Sequence, residues 1–168
     1  MSQQLTSFEP VIPSKPKVLI LGSMPGVESL RLQQYYGHPQ NAFWYAISSL
    51  DSLSTPPQKY SERIQLLHKH HIALWDVCFH CERKGSLDSD IKNVKPNTIN
   101  KILEEFPTIT TVLFNGQPPQ KLYKKYLQFL PQIKYKVMPS TSPTYAKMKR
   151  NEKVEIWKKE LFVFFITC

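Results

Sequence analysis

The sequence predicts an α/β protein: a three-layer α/β/α sandwich around a central, mainly parallel four-stranded sheet. Four short runs rich in apolar, β-branched and aromatic residues, at 17–21, 72–76, 111–115 and 135–138, read as buried strands. Between them lie segments with apolar residues at helical spacing. Strands alternating with helices of about 10–15 residues fold into a parallel sheet covered on both faces. Each run also gives way to a polar or turn-marked segment: Gly22-Ser-Met-Pro-Gly26, Asp76, Asn115-Gly116 and Pro139-Ser-Thr-Ser-Pro143. In an open parallel sheet the ligand crevice lies beyond the carboxyl ends of the strands. These four segments therefore converge on one edge.

The elements follow in chain order. Residues 1–16 hold Pro10, Pro13 and Pro16 with little periodicity, and are expected to form an irregular arm. Asn41 to Leu50 places Phe43, Ala46, Ile47 and Leu50 on one helical face. Ser61 is the expected N-cap of a helix presenting Ile64, Leu67 and His71. Pro96-Asn97 is expected to open a helix with Ile99, Ile102, Leu103 and Phe106 inward. A further helix spans 117–128, with Pro118 and Pro119 in its first turn. The last, near 152–165, buries Val154, Trp157, Leu161 and Phe165.

At 168 residues without repeat or linker, 1–168 is read as a single domain. A chain of this size buries roughly 70% of the surface exposed when unfolded. No apolar run reaches the length of a membrane span, and the N-terminus lacks the pattern of a signal peptide. A cytoplasmic protein without membrane contact, acting as a monomer, is the expectation. Its formal net charge of +9 favours phosphate backbones through counterion release. The basic residues gather late, and Lys147, Lys149 and Arg150 abut the fourth loop. Cys78, Cys81 and Cys168 do not make a disulfide framework. The Cys78-Phe-His-Cys81 pair lacks a second ligand pair for a metal, so reduced thiols, no metal and no cofactor are expected.

Two segments carry chemistry beyond the charge. Gly22-Ser-Met-Pro-Gly26 lets backbone N–H groups approach a ligand, yet lacks the Gly-Lys-Ser/Thr of a P-loop. Tyr35-Tyr-Gly-His-Pro-Gln-Asn-Ala-Phe-Trp44 concentrates aromatic planes and amide groups, and aromatic faces stack nucleobases. Phe43 and Trp44 read as core anchors, whereas Tyr35 and Tyr36 are expected to face solvent.

Taken with Leu74-Trp-Asp-Val77, Phe114-Asn-Gly116 and the 139–143 loop, these motifs resemble the uracil-DNA glycosylase superfamily, in order and spacing, over about residues 8–160. Within it the sequence is most similar to the hypoxanthine (deoxyinosine) DNA glycosylase branch. The resemblance implies a monofunctional repair enzyme that flips a deaminated base out of double-stranded DNA and hydrolyses its glycosidic bond, with hypoxanthine first and uracil or xanthine as further candidates. It implies Asn41 as the residue that positions water, Tyr36 stacking on the base, and Ser23, Met24 and Gly26 lining the pocket. His38 is either an acid or a turn-former. Asp76 falls where uracil-specific relatives carry a base-reading Asn, and Asn115 joins it as a base contact. Ser140, Thr141, Ser142 and Pro143 resemble the loop that pinches the DNA backbone, with Thr144 or Tyr145 as wedge and Lys147, Lys149 and Arg150 on phosphates.

Two departures bear on the chemistry. Met24 stands where many relatives have a catalytic Asp or Asn, and a thioether cannot deprotonate water. Ser140 stands where others have a His. The hypoxanthine branch shares both departures. They leave open a non-catalytic nucleic-acid binder on the same scaffold, or a small-molecule hydrolase.

Overall fold

The computed structural model describes residues 3–166; Cys168 lies outside them. Seven strands and six helices are formed among these residues: β1 Gln3–Thr6, β2 Val18–Gly22, α1 Val27–Leu32, α2 Phe43–Ser49, α3 Tyr60–Lys69, β3 Ile72–Asp76, β4 Cys78–Arg83, β5 Lys92–Pro96, α4 Ile99–Glu105, β6 Thr111–Asn115, α5 Gln117–Tyr126, β7 Lys134–Met138 and α6 Arg150–Ile166. Strands β3, β2, β6 and β7 form the expected parallel sheet in that order. Its central strand, β2, explains why the β2, β3 and β6 runs are buried throughout, while edge strand β7 alternates. Val18 and Ile20 face the core built by α2, α3 and α6, around Trp44, Ile47, Leu67 and Trp157. Leu19 and Leu21 face the opposite core, closed by Ile99 and Leu103 of α4 and Tyr123 of α5. A strand buried on both faces has no polar side to show.

The same two-residue period fixes the site. Continuing from Ile20, Leu74 and Leu113, the next residues on that face are Gly22, Asp76 and Asn115, at the carboxyl ends of three adjacent strands.

Four local expectations are corrected. The N-terminal arm is not wholly irregular: β1 pairs antiparallel with β4, and β5 completes a second, three-stranded sheet in the order β1-β4-β5. Pro96 ends β5 rather than opening a helix. The Asn97 side chain donates to the carbonyls of Asp76 and Cys78, and α4 begins only at Ile99. Helix α3 starts at Tyr60, so Ser61 lies inside it, and His71 falls beyond its end with φ 57°. Tyr35 is buried, its hydroxyl donating to Glu9 O and its carbonyl accepting from Trp44 Nε1, so the polar chain ends of two aromatics hold the arm and α2 together. No helix among the described residues is long and apolar enough to cross a membrane.

Candidate active site

A cavity of about 380 Å³ opens at the carboxyl edge of the parallel sheet, walled by the 22–29 segment, the 36–41 turn and the 140–144 loop. Asp76 and Asn115 line it from the sheet. Expected site residues that meet there are Ser23, Met24, Gly26, Tyr36, His38, Asn41, Asp76, Asn115 and the loop from Ser140 to Thr144. Tyr145, Lys147, Lys149 and Arg150 do not line it and lie along the chain that leaves it.

Asp76 is the most unusual group. It is 4% exposed, and its Oδ2 has no hydrogen-bond partner. Burial, and next the nearby Asp88 carboxylate, push its carboxyl up to about 7, against the opposing pull of Arg83. Its other oxygen sits over Gly22. A side chain at position 22 would collide with Asp76 Oδ1 and come within 3.0 Å of the Tyr36 hydroxyl, so a glycine is required there by close approach.

Tyr36 adopts φ 51° and stacks on Phe43 with ring centroids 4.1 Å apart. One face is thereby taken, leaving only the other for a base. Its hydroxyl is buried without a hydrogen-bond partner, and burial, then the Asp76 charge, raise its pKa. Asn41 is pinned to the same phenylalanine: its Oδ1 accepts from Phe43 N at 2.9 Å, covering one of the open N–H groups at the start of α2. His38 Nδ1 accepts from Gln40 N at 3.1 Å, and its carbonyl accepts from Asn41 N. Both contacts lie within the 38–41 turn.

Asn115 is committed elsewhere. Its Nδ2 donates to Thr141 Oγ1 at 2.8 Å and its Oδ1 accepts from Thr141 N at 2.9 Å, so both ends of the carboxamide clamp the 139–143 loop to β6. Thr141 O in turn accepts from Ala42 N, tying that loop to α2. Met24 is buried and packs on Cys78 and Cys81. The Cys78 thiol donates toward the Cys81 sulfur, and that hydrogen bond, with burial, keeps it protonated. Among the described residues no cluster of His, Cys, Asp or Glu is suited to hold a metal.

Sequence reasoning missed the contribution of the second sheet. The turn between β4 and β5 reaches back to the first loop: Ser23 Oγ donates to Asp88, Val27 N donates to Ser86 Oγ at 2.8 Å, and buried Arg83 donates to Pro25 O at 2.6 Å. The Lys84-Gly85-Ser86 turn, with Gly85 at φ 75°, is the one local signal for it. Lys153 belongs by sequence to the basic surface, but it is 4% exposed: its Nζ donates to Ser142 O at 2.7 Å and sits over the Tyr145 ring. Arg150 lies 4.1 Å over the Tyr45 ring.

The cavity at the parallel-sheet edge thus brings together a buried carboxylate, an aromatic ring and a hydroxyl-rich loop, with Lys147 and Lys149 exposed on the chain that follows. The chain belongs to the uracil DNA glycosylase superfamily, whose family model matches residues 9–162. It is 32% identical over 148 residues to a Methanosarcina acetivorans protein named hypoxanthine DNA glycosylase, covering 88% of this chain and 92% of that one. It is 39% identical over 110 residues to a Methanosarcina barkeri protein of the same name, covering 66% and 70%. A solution NMR structure from Methanosarcina acetivorans, provisionally assigned as a uracil DNA glycosylase, superposes with a TM-score of 0.79 at 29% identity, covering 97% of this chain and 99% of that chain. The protein is therefore a DNA glycosylase.

Proposed function

We propose that this glycosylase removes hypoxanthine from double-stranded DNA by monofunctional hydrolysis of an everted deoxyinosine, with Asp76 reading the base and Asn41 directing the water. The observation that carries this reading is the unpartnered Oδ2 of Asp76 in the cavity wall. An ionised carboxylate is acceptor-only, and hypoxanthine offers it an N1–H. Adenine presents an acceptor at the same ring position, so the same carboxylate repels the undamaged base and accepts its deamination product. Uracil and xanthine carry a comparable ring N–H, which keeps them within the substrate class. Guanine carries one too, and its 2-amino group must be rejected by the shape of the cavity.

The step is a substitution at C1′. The bond from C1′ to the purine nitrogen breaks, its electron pair leaves with the base, and a water oxygen bonds to the oxocarbenium-like sugar carbon. The attacking water sheds one proton as it becomes the C1′ hydroxyl, and the departing base anion takes one up, so protons balance over the step. Asn41 Oδ1 already accepts from Phe43 N, but a carboxamide oxygen has a second lone pair, and it orients the water by accepting a hydrogen bond from it. Tyr36, braced by Phe43, offers its free face for stacking on the flipped base.

The test is excision from duplexes bearing deoxyinosine, read as alkali-labile abasic sites. Wild-type protein is expected to yield product without cutting the strand before alkali treatment. Asn41→Ala is expected to lower the rate by roughly 10²–10³. Since it also uncaps α2, Asn41→Ser is the matched control, keeping a capping oxygen while removing the amide. Duplex binding with no product at any pH would make the protein a non-catalytic binder.

A further inference from the structure

Two buried polar atoms at the cavity have nothing to bond to, and they belong to side chains that meet. The Tyr36 hydroxyl and Asp76 Oδ2 are both shut off from solvent without a hydrogen-bond partner. Both side chains line the cavity and reach over the bare Cα of Gly22. The point where a Cβ would stand on Gly22 is 3.0 Å from the Tyr36 hydroxyl and nearer still to Asp76 Oδ1. One water, or a small turn of the carboxyl group, spans that gap.

Their chemistry is complementary. A phenol hydroxyl has a proton to donate, and an ionised carboxylate can only accept. Burial, then the Asp76 charge, raise the Tyr36 pKa, so the hydroxyl keeps its proton throughout the neutral range. Asn115 also lies beside it, but both ends of that carboxamide are engaged with Thr141. Asp76 is therefore the acceptor that remains. The Tyr36 ring is fixed: it stacks on Phe43 with 28° between the planes, on a backbone held at φ 51°. Left-handed backbone is costly for a residue other than glycine and persists where the surroundings over-determine it. Stacking on a base needs the face of such a ring and makes no use of its hydroxyl.

We propose that the Tyr36 hydroxyl is a positioning group for base recognition: it donates to Asp76, directly or through one water, and aims that carboxylate at the ring N–H of the everted base. The proposal rests on the hypoxanthine reading above and deepens it by giving Tyr36 two separable roles. The ring face stacks, and the hydroxyl serves the carboxylate. A donor to the charged form of a buried acid favours that form. Among the groups that face Asp76, the hydroxyl thus acts with Arg83 and against burial and Asp88. Tyr35 and Cys78, two further titratable neighbours, are held neutral by their own upward shifts, due chiefly to burial for Tyr35 and to the Cys81 hydrogen bond for Cys78.

Tyr36→Phe removes the hydroxyl and keeps the ring, so it separates the two roles. On a deoxyinosine duplex under single-turnover conditions, the rise in rate through about pH 7 is expected to move up by about one pH unit. The variant is then roughly tenfold slower than wild type below pH 7, and the shortfall shrinks toward pH 8. A loss of the same size at every pH would overturn the proposal, since it would mark the hydroxyl as part of the stack or the fold. So would an unshifted profile at full rate. Thermal melting supplies a readout that needs no activity. The hydroxyl helps only an ionised Asp76, so the melting temperature of Tyr36→Phe relative to wild type is expected to be lower at pH 8 than at pH 5. The same difference at both pH values would also overturn the proposal. Wild-type protein that excises nothing would sink the hypoxanthine reading, and the melting comparison would still decide whether the hydroxyl serves Asp76.

Discussion

Asp76 is held where its ionised form is costly, and that cost has a sign that can be checked. In the unfolded chain an aspartate titrates near 3.9. In the fold, burial first and Asp88 second raise it to about 7. The folded state therefore binds the proton more tightly, and stability is greatest below about pH 4 as far as this group is concerned. It declines as pH rises toward 7, by an amount on the order of a few kcal/mol. Asp88 is shifted in the same direction, by burial first, and adds to the trend. Asp76→Asn removes the cost, so its melting temperature is expected to exceed that of wild type at pH 8 and to lose that advantage toward pH 4. Equal melting at both pH values would show that the carboxylate is not strained. The catalytic counterpart is that hypoxanthine excision by wild type rises through about pH 7 as Asp76 ionises, whereas Asp76→Asn, whose carbonyl accepts N1–H at any pH, gives a flatter profile across that range. A wild-type profile without that rise would remove Asp76 from base reading.

The clamp between β6 and the 139–143 loop decides how the DNA-facing rim is presented. Asn115→Ala deletes two buried hydrogen bonds to Thr141 and leaves that residue's N–H unpaired, at about 1–3 kcal/mol by the usual penalty for such groups. Chemical denaturation should show this loss, with a weakened affinity for duplex DNA as the loop loosens; unchanged stability would mean that Trp157, Lys153 and Ala42 suffice to hold the loop, through Pro139 O, Ser142 O and Thr141 O. Three of the parallel strands, β2, β3 and β6, were legible because burial on both faces leaves an uninterrupted apolar run, whereas the edge strand β7 alternates exposed lysines with part-buried Tyr135 and Val137. The second sheet was not legible. Gln3–Thr6 is an edge strand with one half-buried residue, and its pairing with β4 leaves no period in its own sequence. In β4 two register irregularities disrupt the alternation, so Cys78-Phe-His-Cys81 reads as a possible ligand pair when it is a strand segment with both thiols in a small core. Asn115 falls at the correct edge, but a loop clamp and a base contact look alike in sequence, since both need a carboxamide at a strand end. Lys153 shows the same limit: a lysine beside other lysines reads as surface until the carbonyl it serves is known.

The whole molecule carries a formal net charge of +9, and its distribution separates general attraction from direct engagement of phosphate. Lys136 is paired with Glu160 at 2.5 Å, and Lys153 is inside the fold, so neither is free to neutralise phosphate. Lys147 and Lys149 lie on the chain that leaves the cavity loop, while Lys124 and Lys125 sit in the last turn of α5, whose first turn follows the sheet edge. A ten-residue helix rises about 15 Å, which is further than the ~10 Å screening length at 0.1 M salt. Replacing Lys147 and Lys149 together by alanine is therefore expected to weaken duplex binding at all sequences and to reduce the slope of log affinity against log salt by about 2, nearly one unit for each phosphate left unneutralised. The Lys124 and Lys125 double variant removes the same formal charge, yet should leave the slope near that of wild type. Salt titrations of the two variants on one duplex separate the possibilities. Equal slopes would mean that net charge, rather than the placement of lysines beside the 139–145 loop, brings the protein to DNA, and the rim would lose its claim to hold the backbone.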